Sequence, residues 1–207
     1  QRQMCIRDRG NLVAGAACRV ALELNGEDRQ HLGGMKLTVR DKEGKVAAVC
    51  RTDERGRTTF RLPDLSEEVD FRATFTYKGY EYEEELPEVE KEGCALTVTV
   101  GDSVVEAVIQ AVGLKRPVAL HVMSGGVSRF YRPLPVSLFS NGMADTADEP
   151  ASGLRVCRMA IPLDSLPTGV NQLTVFDGEG RIYADRLFFV NHHDYDAPKL
   201  AVSGIRQ

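Results

Sequence analysis

Apolar and polar residues alternate with a period of two over much of this chain, the repeat of strands that bury one face. The pattern is clearest where Val69, Phe71, Ala73 and Phe75 share one side and Asp70, Arg72, Thr74 and Thr76 the other. It recurs at Cys94, Leu96, Val98 and Val100. Strand-like runs cover residues 13–24, 35–40, 45–52, 58–62, 69–77, 80–82 and 95–100. Turn chemistry separates them at Asn25-Gly26, Lys42-Glu43-Gly44, Asp53-Glu54-Arg55-Gly56 and Lys78-Gly79. No helical stripe of useful length appears. About seven short strands at this spacing predict an antiparallel sandwich.

A second series follows over 103–111, 118–123, 127–131, 134–139 and 154–161, with Gly125-Gly126 as a hairpin signal and 140–152 as a polar surface loop. It closes with a hairpin within 161–190. Leu173 and Val175 alternate with Gln172 and Thr174, and Asp177-Gly178-Glu179-Gly180 supplies the turn. On the return strand, 182–190, Ile182 and Ala184 share one phase and Leu187 and Phe189 the other. A β-bulge near Asp185 and Arg186 accounts for the slip, and Leu173, Val175, Leu187 and Phe189 are expected in the core. The chain is therefore expected to be all-β, with two tandem antiparallel β-sandwiches at 10–101 and 102–191. Residues 192–207 read as a linker and the start of a truncated third module.

Residues 1–9, Gln-Arg-Gln-Met-Cys-Ile-Arg-Asp-Arg, resemble a sequencing-library adapter translated in frame. That resemblance sets them outside the fold, removes Cys5 from the cysteine count and makes the chain a fragment of a longer one.

The stretch Leu-Pro-Thr-Gly-Val-Asn-Gln-Leu-Thr-Val-Phe-Asp, followed by Gly-Arg-Ile-Tyr-Ala-Asp-Arg-Leu-Phe-Phe-Val, resembles the closing hairpin of macroglobulin-like β-sandwiches. These modules, immunoglobulin-like in outline, are strung along large envelope proteins of Bacteroidetes-type bacteria, some of which carry a TonB-dependent receptor plug. The segment from Gly44-Lys-Val to Arg61-Leu-Pro63 is similar to macroglobulin-like and carboxypeptidase-regulatory-like modules. The resemblance implies an extracytoplasmic setting, in the periplasm or at the cell surface, and a non-enzymatic role as spacer and interaction surface. The partners it implies are other modules of the same chain, envelope proteins or glycans, with membrane attachment only through other parts of the chain. The family's thioester lies in a Cys-Gly-Glu-Gln segment; Gly93-Cys94-Ala95-Leu96 departs from it, so no thioester is carried over.

Composition narrows the classes. No apolar run approaches the roughly eighteen residues that span a bilayer. Residues 10–101 hold 13 Lys and Arg against 18 Asp and Glu, and residues 102–207 hold 10 against 11. Without a basic stripe, nucleic acid is not an expected partner. Cys18, Cys50, Cys94 and Cys157 lack Cys-x-x-Cys spacing and sit in apolar runs. They read as buried core thiols, the alternative being a disulfide among the first three.

Candidate chemistry is sparse. There is no Gly-x-Ser-x-Gly, His-Glu-x-x-His, P-loop or dinucleotide fingerprint, and His31 and His121 stand apart from any nucleophile motif, so no enzyme activity, metal or cofactor is expected. Asp53, Glu54 and Asp64 lack the alternating ligands of a calcium loop and read as a turn. His192-His193-Asp194-Tyr195-Asp196 is the densest run of metal-ligand types but lies where a linker is expected. The seven carboxylates between Glu81 and Glu92 read as a solvated face that blunts a strand edge. Arg129, Tyr131 and Arg132 form the candidate ligand patch. An adhesin binding carbohydrate or protein through Tyr80, Tyr82, Phe130 and Tyr131 is the alternative to a spacer, and a contiguous exposed aromatic patch would favour it.

Overall fold

The computed structural model describes residues 3–6, 12–16, 18–26, 30–62, 70–141 and 153–194, and for Gln3–Ile6 the course of the strand alone. The chain is all-β, two antiparallel sandwiches of immunoglobulin-like architecture in tandem.

The first is built from β1 (Gln3–Ile6), β2 (Leu12–Val13), β3 (Cys18–Asn25), β4 (Lys36–Asp41), β5 (Val46–Arg51), β6 (Arg57–Leu62), β7 (Phe71–Tyr77), β8 (Tyr80–Glu85) and β9 (Val89–Glu90). One sheet has the order β1-β3-β6 and the other β5-β4-β7-β8, while β2 and β9 form a short parallel ladder. Alternation decides which side faces inward: Cys18, Val20, Leu22 and Leu24 on β3 meet Leu37 and Val39 on β4 and Phe71 and Ala73 on β7 in one core. The run expected over 13–24 is two strands, because Gly15, at φ 75°, turns the chain between β2 and β3. Gln3–Ile6, set apart on sequence, lies antiparallel along β3.

The Asp53-Glu54-Arg55-Gly56 stretch is a turn. Asp53 Oδ1 accepts the amides of Arg55 at 2.9 Å and Arg57 at 2.8 Å. Gly56 has φ 71°, and a Cβ there would come within 2.5 Å of the Leu24 carbonyl oxygen, so the position needs glycine. Asp64, the third residue weighed as a calcium ligand, lies outside the described residues.

The second sandwich comprises β10 (Gly93–Val100), β11 (Val104–Val112), β12 (Val118–Ser124), β13 (Val127–Leu134), β14 (Ser140–Asn141), β15 (Arg155–Pro162), β16 (Gly169–Asp177) and β17 (Ile182–Val190). Its sheets have the orders β10-β11-β15-β14 and β13-β12-β16-β17. Leu96, Val105, Ile109, Leu120, Val122, Ile161, Leu173 and Val175 lie in the core between them. The only helical turns among the described residues are 3-10 turns at Val136–Leu138 and Leu163–Ser165; the first falls inside the strand expected over 134–139.

Two expectations are corrected. The sequence pattern places residues 95–100 in the first sandwich, with a boundary at Gly101 and Asp102. Instead β10 pairs with β11 from Gly93↔Val112 to Val100↔Val105, and Cys94 and Leu96 lie in the second core. The turn after Gly101 joins two neighbouring strands and is closed by the Gly101 amide donating to the Val104 carbonyl at 2.9 Å. The second correction is the phase of β17. Its buried residues are Ala184, Phe188 and Val190, whereas Leu187 and Phe189 are exposed. The register shift lies opposite Val175 and Phe176, where pairing passes from Ala184 to Ile182, not at Asp185 and Arg186. The extra residue is Tyr183, ahead of Ala184, so the alternation from Ala184 onward is unbroken and turns Phe188 and Val190 inward and Leu187 and Phe189 outward.

One end of the second sandwich packs against the first. Leu154 is buried in the first core, and Ala95, Val112 and Val156 pack against it. The chain enters this end at Gly93, opposite Val112. β17 then carries it away from the Asp177 turn to Val190, opposite Gly169 at the far end.

Candidate functional site

The sheet β13-β12-β16-β17 has one face on the core and one outside. Register defines the outer face. Ala119 pairs with Phe176 and Phe176 with Ile182; His121 pairs with Tyr131 and with Thr174; Gln172 pairs with Leu187, and Val170 with Phe189. Val170, Leu187, Phe189, Ile182 and Tyr131 are all exposed, Ile182 the most at 62% and Phe189 at 59%. Polar residues divide this face into two apolar ends. Between them Gln172 Nε2 donates to Asp185 Oδ2 at 3.1 Å, with Thr174 alongside. At one end the His121 ring makes edge contacts with Tyr131 at 6.0 Å and Phe176 at 6.3 Å. Its Nε2 lies 2.8 Å from Ser128 Oγ.

The three residues of the sequence-derived patch are not brought onto one face. Tyr131 belongs to the outer face through its pairing with His121. Arg132 pairs with the buried Leu120, so it alternates onto the opposite side at the sheet edge. Arg129 sits at the register shift between Ser128 and Phe130. The four aromatics of the adhesin reading are also divided. Tyr80 and Tyr82 lie on β8, and Phe130 packs against the second core while Tyr131 stays exposed. Sequence reasoning missed Val170, Leu187, Phe189 and Ile182. The signal lay in β16, whose outward set Val170, Gln172, Thr174 and Phe176 fixes the phase of its partner once the pairing is known.

A second feature is a cleft of about 320 Å³ where the sandwiches meet, lined by Glu92, Gly113, Lys115, Arg116, Asp177 and Tyr183 among others. Its charges are matched. Lys115 Nζ is 2.9 Å from Glu92, Arg181 is 3.5 Å from Glu90, and Arg116 pairs with Glu179. Asp177 Oδ1 accepts the amides of Glu179 and Arg181 at 2.9 and 3.0 Å, and Oδ2 accepts the Tyr183 hydroxyl at 3.3 Å. Desolvation pushes the Asp177 carboxyl up, but these donors together hold it below the usual carboxylate value. Burial, then the Asp177 charge, raises the Tyr183 phenol.

The His192–Asp194 segment folds back on the preceding turn. The His192 amide donates to Thr168 Oγ1 at 3.0 Å, Thr168 Oγ1 donates to Asp194 Oδ1 at 2.5 Å, and His192 Nε2 lies 2.8 Å from the Leu166 carbonyl oxygen. The Thr168 hydrogen bond lowers the Asp194 carboxyl. Tyr195 and Asp196 lie outside the described residues, as does most of the 140–152 loop. Among the described residues no group of three or more His, Cys, Asp or Glu converges on a metal position. Cys18, Cys50, Cys94 and Cys157 are not in disulfides; Cys18, Cys94 and Cys157 are buried and Cys50 is half-buried. Burial pushes the Cys94 thiol up to about 12, with Arg181 opposing.

No family model matches the chain, and no curated protein matches it. Solved structures of similar fold include the BSP domain of a biofilm-associated protein, at 14% identity and TM-score 0.37, covering 95% of this chain. This chain spans 30% of that one. A two-domain fibronectin type III segment of chicken tenascin is similar at 9% identity and TM-score 0.31, over 91% of this chain and 99% of that one. The ligand-binding domain of human OSCAR is similar at 10% identity and TM-score 0.30, over 91% of this chain and 97% of that one.

Proposed function

We propose that this chain is a non-enzymatic pair of modules in a larger bacterial envelope protein, of macroglobulin-like type, acting outside the cytoplasm as spacer and interaction surface. The observation that carries the reading is the outer face of β13-β12-β16-β17. A solvated sheet face is ordinarily polar. This one presents Val170, Leu187 and Phe189 at one end and Tyr131, Phe176 and Ile182 at the other. Apolar patches rimmed by polar residues mark association sites. The passage of the chain from Gly93 at one end of the second sandwich to Val190 at the other supports the spacer role, since modules threaded in this way add length. The partner is an envelope protein or another module of the same chain.

The test is cysteine labelling with a membrane-impermeant maleimide, applied to cells whose outer membrane has been opened. Phe189→Cys should label in the purified chain and be shielded in the full-length protein in its envelope. Thr76→Cys, on the first sandwich, should label in both. Equal labelling of Phe189→Cys in both settings overturns the interaction role. Failure to label Thr76→Cys until the inner membrane is lysed overturns the location.

A further inference from the structure

Strand β8 is the outermost strand in the order β5-β4-β7-β8. It returns from β7 through Lys78-Gly79, with φ of 50° and 80°, the backbone of a two-residue hairpin turn. Tyr77 and Tyr80 therefore form a hydrogen-bonded pair, and the pairs alternate beyond it. The Leu86 amide donating to the Phe71 carbonyl at 2.8 Å keeps the same alternation at the other end. Glu81, Glu83 and Glu85 fall between the bonded pairs, so their N–H and C=O groups face away from β7. Among the described residues no strand pairs with that edge.

The edge is also regular. The β7–β8 register runs without a shift, and β8 contains no proline. β13, an edge of the second sandwich, is different: its register shifts between Val122 and Met123, and Pro133 lies near its end. Bulges and prolines are devices that stop another strand from adding to an edge. β8 has neither and carries charge instead.

Its two faces differ. Glu81, Glu83 and Glu85 lie opposite Thr76, Thr74 and Arg72 on the outer face, where Arg72 reaches Glu83 at 2.9 Å and Glu85 at 3.3 Å. Tyr80 and Tyr82 alternate onto the other face; Tyr82 stacks on Phe75 at 5.2 Å and Tyr80 is 69% exposed. A strand added to β8 places its side chains about 5 Å from these neighbours. One alternate set meets the carboxylates of Glu81, Glu83 and Glu85, and the other meets the rings of Tyr80 and Tyr82, with Glu84 following them on that face. We infer that β8 is a strand-addition site for an extended segment of a partner protein in which Lys or Arg alternates with apolar residues. The glutamates exclude β8 of a second copy, because like charges directly opposite repel. The inference is independent of the apolar face of the second sandwich, which the variants below leave intact.

The test uses the whole chain and a fluorescent peptide of roughly eight residues, a strand's length, alternating lysine and valine. A glutamate–valine peptide and a lysine–glycine peptide are the controls. The lysine–valine peptide should bind at least about tenfold more tightly than either, a difference of about 1.4 kcal/mol. It should slow hydrogen exchange at the amides of Glu81, Glu83 and Glu85. Glu83→Pro removes one outward donor and no β7–β8 hydrogen bond, and should weaken binding about tenfold with Tm unchanged. The Glu81→Lys/Glu85→Lys pair should weaken it at least as much and provides the test should Glu83→Pro fail to fold. Binding by Glu83→Pro at wild-type strength means attraction of charge without strand pairing and overturns the inference. Equal binding of the glutamate–valine peptide, or protection confined to β13, overturns it as well.

Discussion

Arg181 of the second sandwich stands 3.5 Å from Glu90 of the first, so the tip of the closing hairpin is held against the last short strand before β10. Both side chains are exposed enough for solvent to screen them, at 55% and 37%. The pair orients the junction more than it stabilises it, since exposed ion pairs contribute about 0–1 kcal/mol.

Leu154 is the stronger tie. It belongs by chain position to the second sandwich and is buried in the first core. Leu154→Ala should cost about 2–5 kcal/mol and separate a joint melting transition into two. Arg181→Ala should leave Tm within a degree or two, by roughly the scaling for a protein of this size, while broadening the distribution of angles between the sandwiches in small-angle scattering. Equal calorimetric effects of the two substitutions would place the coupling in the ion pair instead.

Phe188 and Phe189 are neighbours with opposite roles. Phe188 is 9% exposed and lines the second core, so Phe188→Ala should cost about 3–5 kcal/mol. Phe189 stands on the outer face, and Phe189→Ala should cost no more than about 1 kcal/mol, the span of strand preference. Chemical denaturation of both variants decides the phase of β17, and reversed costs would restore the phase read from sequence.

The cysteines respond to alkali. Burial raises the Cys94 thiol to about 12, so the folded state keeps its proton where the unfolded chain loses it. The resulting stability is complete below the unfolded value near 9 and is lost as pH rises through the folded value. Cys94→Ala should flatten the alkaline limb of the stability curve. At neutral pH, thiol titration should find Cys18, Cys94 and Cys157 unreactive until denaturant is added, with Cys50 the first to respond.

Acid acts through the junction hairpin. The folded Asp177 carboxyl lies below its ordinary value, so its contribution is present above the unfolded value and is lost as pH falls through the folded one. Asp177→Asn keeps the acceptor for the Glu179 and Arg181 amides but not the charge. Urea melts between pH 5 and pH 2 should show a shallower acid slope for the variant, and parallel slopes would remove Asp177 from the account.

Alternation alone predicted the all-β class and most strands, because strands such as β3 and β7 bury one apolar set and expose a largely polar one. It failed where both sets are apolar. On β17 the inward set is Ala184, Phe188 and Val190 and the outward set is Ile182, Leu187 and Phe189, so periodicity could not say which side was the core. That one ambiguity hides the apolar face, since the sequence pattern puts Leu187 and Phe189 in the core. The boundary failed for another reason. The turn at Gly101 has the same chemistry whether it joins two domains or two paired strands, and only the pairing of β10 with β11 separates these cases. Arg129, Tyr131 and Arg132 looked like one patch because they are close in sequence, yet successive strand residues point to opposite faces.

The path of the chain through the second sandwich also determines how it bears a load. β10 and β17 are its first and last strands, both run from the junction toward the far end, and they lie against each other at one corner. Tension on the chain enters at Gly93 and leaves beyond Val190, so it pulls these neighbours past one another along their length. The resistance comes from many side chains shearing together, and the strands are not unzipped one bond at a time.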